Sequence, residues 1–239
     1  CEQTSERLED FWELFMNVKS PHGQMNANLT DALNDHFAPE LMSGSNQYSC
    51  SACKQKSDAE RTTHLVEIPQ YLSVYVNRFE FDPVIFERKK LKADFDFPQT
   101  LNLSTYSQPA NDQLYEFFAG IVHRGTAYSG HYHVIIRDME DERQTQSKEP
   151  LFLDFNDTSV TPVDQEQLQK FKKKGEENYY LLIYRRKGDL PETQPVPHED
   201  EVTLATKIEN EQIKRQRVEY EQLQQKIRVF VADLGALAE

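Results

Sequence analysis

Between Thr62 and Arg186 the chain returns again and again to one kind of run, short and rich in β-branched and aromatic residues. YLSVYVNRF (71–79), YEFFAGIVH (115–123), HYHVIIRD (131–138), LFLDF (151–155) and NYYLLIYRR (178–186) all have this character. Such residues fit a pleated, half-buried surface. Weaker alternation is present at 62–68 and 93–97, the latter ending at Pro98. Residues 82–92 read as a polar hairpin end, with Arg88, Lys89, Lys90 and Lys92 on a solvated loop, and 104–113 is loop by composition. Many short strands with few helices imply an α+β domain, mostly antiparallel sheet with local helices.

The helices expected are few. Asn28 is placed to cap a short helix that carries Leu29, Leu33 and Phe37 on one face and stops before Pro39. A second short helix is expected over 164–174, ending at Gly175. Residues 8–18 fit either a helix face (Leu8, Phe11, Trp12, Phe15) or a half-buried strand. The tail differs. Residues 188–198 form a Pro-containing linker, and 199–234 contain neither Pro nor Gly. Ile213, Tyr220, Ile227 and Leu234 recur every seven residues, with Leu223, Phe230 and Leu237 offset from them. That stripe suits either a surface helix or a coiled-coil seam for a helical partner of 199–239.

Charge and cysteines narrow the function classes. The 239 residues carry 27 basic and 40 acidic side chains, a net charge of -13. This argues against bare nucleic acid as a partner and permits a basic one, although a plain acidic surface explains it as well. No apolar run approaches the ~18 residues of a membrane span, so no membrane partner is expected. There is no secretory signal, and three cysteines suit a reducing, intracellular compartment, cytoplasmic or nuclear. Cys50 and Cys53 form a C-x-x-C in a polar turn, which can aim two thiolates at one tetrahedral Zn²⁺. Two ordinary thiols are the plainer reading of that pair. Cys1 is the one cysteine left to join them, and the lack of an initial Met suggests that the chain begins partway through a longer protein.

The chemistry gathers at His131. If the 131–156 hairpin is centred between Asp138 and Leu151, residue 131 faces residue 158, and 133 faces 156. Asn156 and Asp157 then fall within a residue or two of His131. An imidazole beside an amide or carboxylate is an oriented base, able to support a thiolate nucleophile. Gly125 and Gly130 bracket a loop that needs unusual backbone angles. Taken singly, His131 is a strand-end histidine and Asn156–Asp157 a turn. Their convergence on one edge favours a site. His123 ends a strand nearby, and His133 reads as a packed or exposed strand residue.

Several segments, in order, resemble the ubiquitin-specific protease family of cysteine deubiquitinases. These are YSCSAC, IPQYLSVYVNRF, FPQTLNL, FFAGIVHRGTAYSGHY, FNDTSV and YYLLIYRR, with Cys1 and EQTSERLEDF resembling the end of the first zinc knuckle and the strand after it. The resemblance covers about residues 1–186. It implies the papain-like hand, with fingers and zinc knuckle over 1–68, palm over 69–187, linker 188–198 and an appended helix 199–239. It makes 8–18 a finger strand. It implies that His131 is the general base, oriented by Asn156 and supported by Asp157. His123, Gly130 and Tyr132 would line the channel for ubiquitin's C-terminal tail, closed over by loops 104–113 and 124–130. Cys1, Cys50 and Cys53 would be three of four ligands of a structural zinc. The partners implied are ubiquitin and ubiquitinated proteins. Two family features are absent from the sequence: the first knuckle cysteine, and the box that carries the nucleophilic cysteine, which lies upstream in the family. A catalytically dead ubiquitin-binding or scaffold module is the alternative.

Overall fold

A computed structural model describes residues 4–110, 114–139, 150–188 and 204–219. Its centre is an eight-stranded sheet in the order β1-β6-β14-β10-β11-β12-β13, with β9 also on β10. The strands are β1 (Leu14–Asn17), β6 (Tyr71–Asn77), β9 (Thr100–Asn102), β10 (Leu114–Gly125), β11 (Gly130–Arg137), β12 (Phe152–Asn156), β13 (Ser159–Val163) and β14 (Glu177–Arg186). Five of them are the runs that the sequence marks most strongly. All pairings are antiparallel except β1 with β6. Small two-stranded ladders join β2 (Glu40–Met42) to β5 (Ala59–Arg61), β3 (Tyr48–Ser49) to β4 (Lys56–Ser57), and β7 (Phe79–Asp82) to β8 (Glu87–Lys90). The mostly antiparallel α+β architecture is therefore present.

One face of the sheet is filled. Leu14, Met16, Leu72, Val74, Val76, Phe117, Phe152, Tyr179, Leu182 and Tyr184 are all buried. Phe117 packs its ring against Phe97, Phe152, Tyr179 and Tyr184. Helix α1 (Leu29–His36) covers part of this face with Leu29, Ala32 and Leu33. Its start is the expected one, because Asn28 Oδ1 accepts from the Asp31 N–H at 2.8 Å. Helix α2 (Gln165–Lys170) is shorter than 164–174, and Asp164 and Gln167 close a reciprocal capping box at its start. Phe171 and Lys172 then turn inward and are buried.

Several expectations need correction. Residues 8–13 are neither helix nor strand, and only Leu14–Asn17 pairs, beside β6. That puts β1 in the same sheet as strands beyond residue 68. Residues 62–68 are not a strand; Leu65 alone bridges, to Ser107. Residues 93–97 belong to no ladder; Asp96 alone bridges, to Asn28. The Phe95 N–H goes to Lys172 O, the Asp96 N–H to Ala27 O, and the Arg78 guanidinium holds Ala93 O at 2.7 Å. Buried side chains on a segment bonded to three different partners mimic strand alternation without a neighbour strand. Arg78 is itself buried, and burial lowers its pKa to about 10. In the tail, a separate unit, residues 204–219 are helical and exposed. Of the heptad positions, Ile213 lies within that helix; Tyr220, Leu223, Ile227, Phe230, Leu234 and Leu237 lie outside the described residues.

Candidate active site

The site forms where β10 turns into β11. Gly125 has φ +138°, a value that side chains rarely tolerate, and a Cβ there would lie 2.5 Å from Ser129 O. Residues 126–129 close a tight turn in which the Thr126 N–H donates to Ser129 O at 2.9 Å. The strands then pair Arg124 with His131 and His123 with Tyr132. Gly130 is equally constrained, since a Cβ there would sit 2.2 Å from His123 Nε2. The absence of a side chain at Gly130 is what leaves room for the His123 ring.

The β11–β12 ladder pairs Val134 with Phe155 and Ile135 with Asp154. The Asp138 N–H donates to Leu151 O at 2.8 Å, so the hairpin is centred as the sequence suggests. His131 Nε2 and Asn156 Oδ1 are 2.6 Å apart. Because a carboxamide oxygen only accepts, Nε2 is the donor, and in the neutral imidazole Nδ1 is the nitrogen left with a lone pair. Asp157 follows with φ 53°, a left-handed turn residue, and its Oδ2 is 3.8 Å from Nε2. It is 77% exposed. An exposed pair at that range contributes about 0–1 kcal/mol, so the short bond to Asn156 sets the ring. The arrangement presents an oriented imidazole base at the lip of the sheet.

His123, Gly130 and Tyr132 do come together. The His123 and Tyr132 rings are 4.7 Å apart at their centres. His123 is buried, and burial together with the Lys90 charge lowers its pKa below the ordinary imidazole value. Burial and Tyr180 raise the Tyr132 phenol. The sequence reading missed the rest of this cluster. Phe79 and Tyr180 close on His123, and Tyr180, Tyr75 and Phe15 continue as a row of ring contacts across the sheet's second face. The aromatic at position 180 and the Phe of NRF were visible, but their convergence depends on a strand order that the sequence does not print.

The loop assignment needs correction as well. Segment 104–110 lies at the far end of β10. Tyr106 O accepts from the Leu65 N–H and the Tyr106 hydroxyl donates to Asn34 Oδ1. The adjoining β9 pairs with Leu114, whereas His131 pairs with Arg124. Eleven steps of β10 separate the two ends by roughly 36 Å. The hairpin β7–β8 stands beside His123 instead. Lys90 Nζ donates to His123 O at 2.8 Å and to Glu176 O at 2.7 Å, and the Arg88 N–H donates to the Tyr128 hydroxyl at 2.9 Å. Lys90 is thus not a solvated loop residue. Burial, with Arg78 nearby, lowers its pKa to about 8.

Cys50 and Cys53 sit on the β3–β4 turn. The Lys54 N–H returns to Cys50 O at 2.9 Å, and Lys54 takes φ 58°. Backbone N–H groups of Cys53 and Ala52 lower the Cys50 thiol. Amides aimed at a sulfur on a tight turn fit a thiolate ligand for a metal. Cys1 lies outside the described residues. Among the described residues no group of three or more His, Cys, Asp or Glu could hold an ion.

The hairpin β10–β11 thus ends on a histidine bonded to Asn156, beside a cluster of aromatic rings. Residues 7–184 match the family model described as ubiquitin carboxyl-terminal hydrolase, and the chain belongs to that family. It is 35% identical over 145 residues to human ubiquitin carboxyl-terminal hydrolase 40, which is 59% of this chain and 11% of that protein. It is 32% identical over 171 residues to rat ubiquitin carboxyl-terminal hydrolase 48, covering 71% of this chain and 15% of that one. The chain therefore spans a small part of the length of these relatives. Among solved structures, the SAGA DUB module bound to monoubiquitin superposes with a TM-score of 0.62 at 23% identity, over 80% of this chain and 38% of that one. That likeness is one of fold.

Proposed function

We propose that this chain is the histidine-bearing part of a thiol deubiquitinase that hydrolyses the amide or isopeptide bond after ubiquitin's last glycine. The observation that carries the reading is the 2.6 Å contact of His131 with Asn156, which leaves Nδ1 free as a base at the sheet's lip. A cysteine supplied from upstream of Cys1 would pass its proton to Nδ1 and attack the glycine carbonyl. The imidazolium would return the proton to the leaving amine, and water activated by the same nitrogen would release ubiquitin from the thioester. Asn156 keeps the ring in the tautomer this requires. His123, Gly130 and Tyr132, with Phe79 and Tyr180, form the wall for ubiquitin's tail. Hairpin β7–β8 and turn 126–129 are the loops that flank it.

The test is covalent capture. The full-length protein should form an adduct with ubiquitin bearing a C-terminal electrophile, and should lose ubiquitin hydrolysis in His131→Ala. The 239-residue chain should form none. Failure of the folded full-length protein to form an adduct overturns the enzyme reading, and tight ubiquitin binding without an adduct supports a scaffold. The turn at Cys50–Cys53 is proposed to hold a structural Zn²⁺ with Cys1 and a fourth cysteine upstream. Metal analysis of the full-length protein should give one zinc per chain, lost in Cys50→Ser; equal zinc in both rejects the site.

A further inference from the structure

The pair His131–Asn156 is repeated one step down the same hairpin. His133 Nδ1 and Asp154 Oδ1 are also 2.6 Å apart. His131 and His133 are two residues apart on β11 and so share a face; Asn156 and Asp154 are two apart on β12 and share the same one. If the ladder register is continued outward from Val134 and Phe155, His131 stands opposite Thr158 and His133 opposite Asn156. Each histidine therefore reaches across to the residue two short of its opposite. The two pairs are parallel diagonals on one face.

They differ in burial. The His131 side chain is 44% exposed, that of His133 2%. A second carboxylate faces the inner histidine from its other side without bonding to it. Glu177 Oε1, at the start of β14, lies 3.4 Å from its Nε2, out of line for a hydrogen bond. Phe171 closes over the ring edge-on at 5.5 Å between centroids. The β11–β12 ladder ends at Val134 and Phe155, so no backbone pairing between these two strands holds the last residues of β12 beside His131. Asn156 is held on its far side by its pairing with Ser159 of β13; toward β11 it is held by the side-chain diagonals, of which the inner one is buried.

We propose that His133 is a positioning residue for the catalytic pair. Bonded to Asp154 and buried under Phe171, it fixes the end of β12 against β11 and so places Asn156 Oδ1 on His131 Nε2. The His131 tautomer then depends on a residue that touches neither substrate nor the reacting atoms. This rests on the deubiquitinase reading for its catalytic consequence but not for its structural one.

The experiment reads both. In the ¹⁵N-histidine-labelled chain at about pH 8, where an ordinary imidazole is neutral, two-bond nitrogen–proton correlations separate the Nε2–H and Nδ1–H tautomers. His131 should be all Nε2–H in the wild type. In His133→Leu, close in volume and apolar, and in Asp154→Val, it should become a mixture. His133→Asn, which can offer Asp154 a donor where Nδ1 stood, should restore it. In the full-length protein His133→Leu should lower kcat on a ubiquitin C-terminal amide by on the order of ten- to a hundredfold with KM nearly unchanged. If His133→Leu does not fold, Asp154→Val decides. A single Nε2–H tautomer retained in the folded variant overturns the proposal. A wild-type full-length protein without hydrolysis overturns the deubiquitinase reading, and the tautomer spectra still decide the role of His133.

Discussion

Asn156 and Asp157 are neighbours in sequence and stand in different relations to His131. Asn156 accepts a 2.6 Å bond from the ring, while Asp157 lies 3.8 Å away and mostly in water. Water screens the carboxylate but does not replace the directed bond. Asn156→Ala should therefore lower kcat/KM of the full-length protein on the order of a hundredfold or more, through the tautomer. Asp157→Ala should cost less than about fivefold. Equal losses would show that Asp157 orients the ring as much as Asn156 does. The Asn156 position was legible because the register of a short hairpin follows from where it turns. Lys90 was not. One lysine in RKKLK points inward because the carbonyls of His123 and Glu176 wait for it, and neither is near it in sequence.

Among the elements, legibility followed how local the cause is. The capped starts of α1 and α2 are decided within three residues, at Asn28–Asp31 and Asp164–Gln167. The failure at 93–97 has a distant cause, since Phe95 and Phe97 are buried by contacts with the 172 region and with Phe117. Hairpin β7–β8 was recognised as a hairpin, but not as the neighbour of the His131 turn. Among the described residues it meets the turn itself through the bond from the Arg88 N–H to the Tyr128 hydroxyl, next to the Lys90 bonds to His123 O and Glu176 O. Tyr128→Phe removes the acceptor and leaves the ring. Amide exchange at Arg88 should then quicken by about five- to tenfold, as expected for loss of a hydrogen bond contributing roughly 1 kcal/mol. Exchange at Val74 and Leu182, inside the sheet, should not change. An unchanged rate at Arg88 would mean that the hairpin is held without the turn.

At the scale of the molecule, the two faces of the sheet differ in how far their aromatic rings are enclosed. One face is closed by Phe97, Phe117, Phe152, Tyr179 and Tyr184. On the other, Phe15, Tyr75, Tyr180 and Tyr132 form a ring-to-ring row that leaves Phe15 and Tyr132 about half exposed. Adjacent residues on one strand serve opposite ends, as Tyr179 and Tyr180 do on β14. Alternation alone could not say which face is which, because both carry aromatics, and that is why the row escaped the sequence reading. Substitutions on the two faces should behave differently. Phe117→Ala empties a fully enclosed site and should cost about 3–5 kcal/mol in denaturant unfolding. Tyr180→Ala should cost much less stability, since the ring is only partly buried. In the full-length protein it should raise KM for a ubiquitin substrate by about tenfold while kcat changes little, because an aromatic anchor at a binding surface is lost without touching His131. If Tyr180→Ala instead unfolds the protein and leaves KM unchanged in the folded fraction, the row is part of the core and the tail-binding wall must lie elsewhere on the sheet.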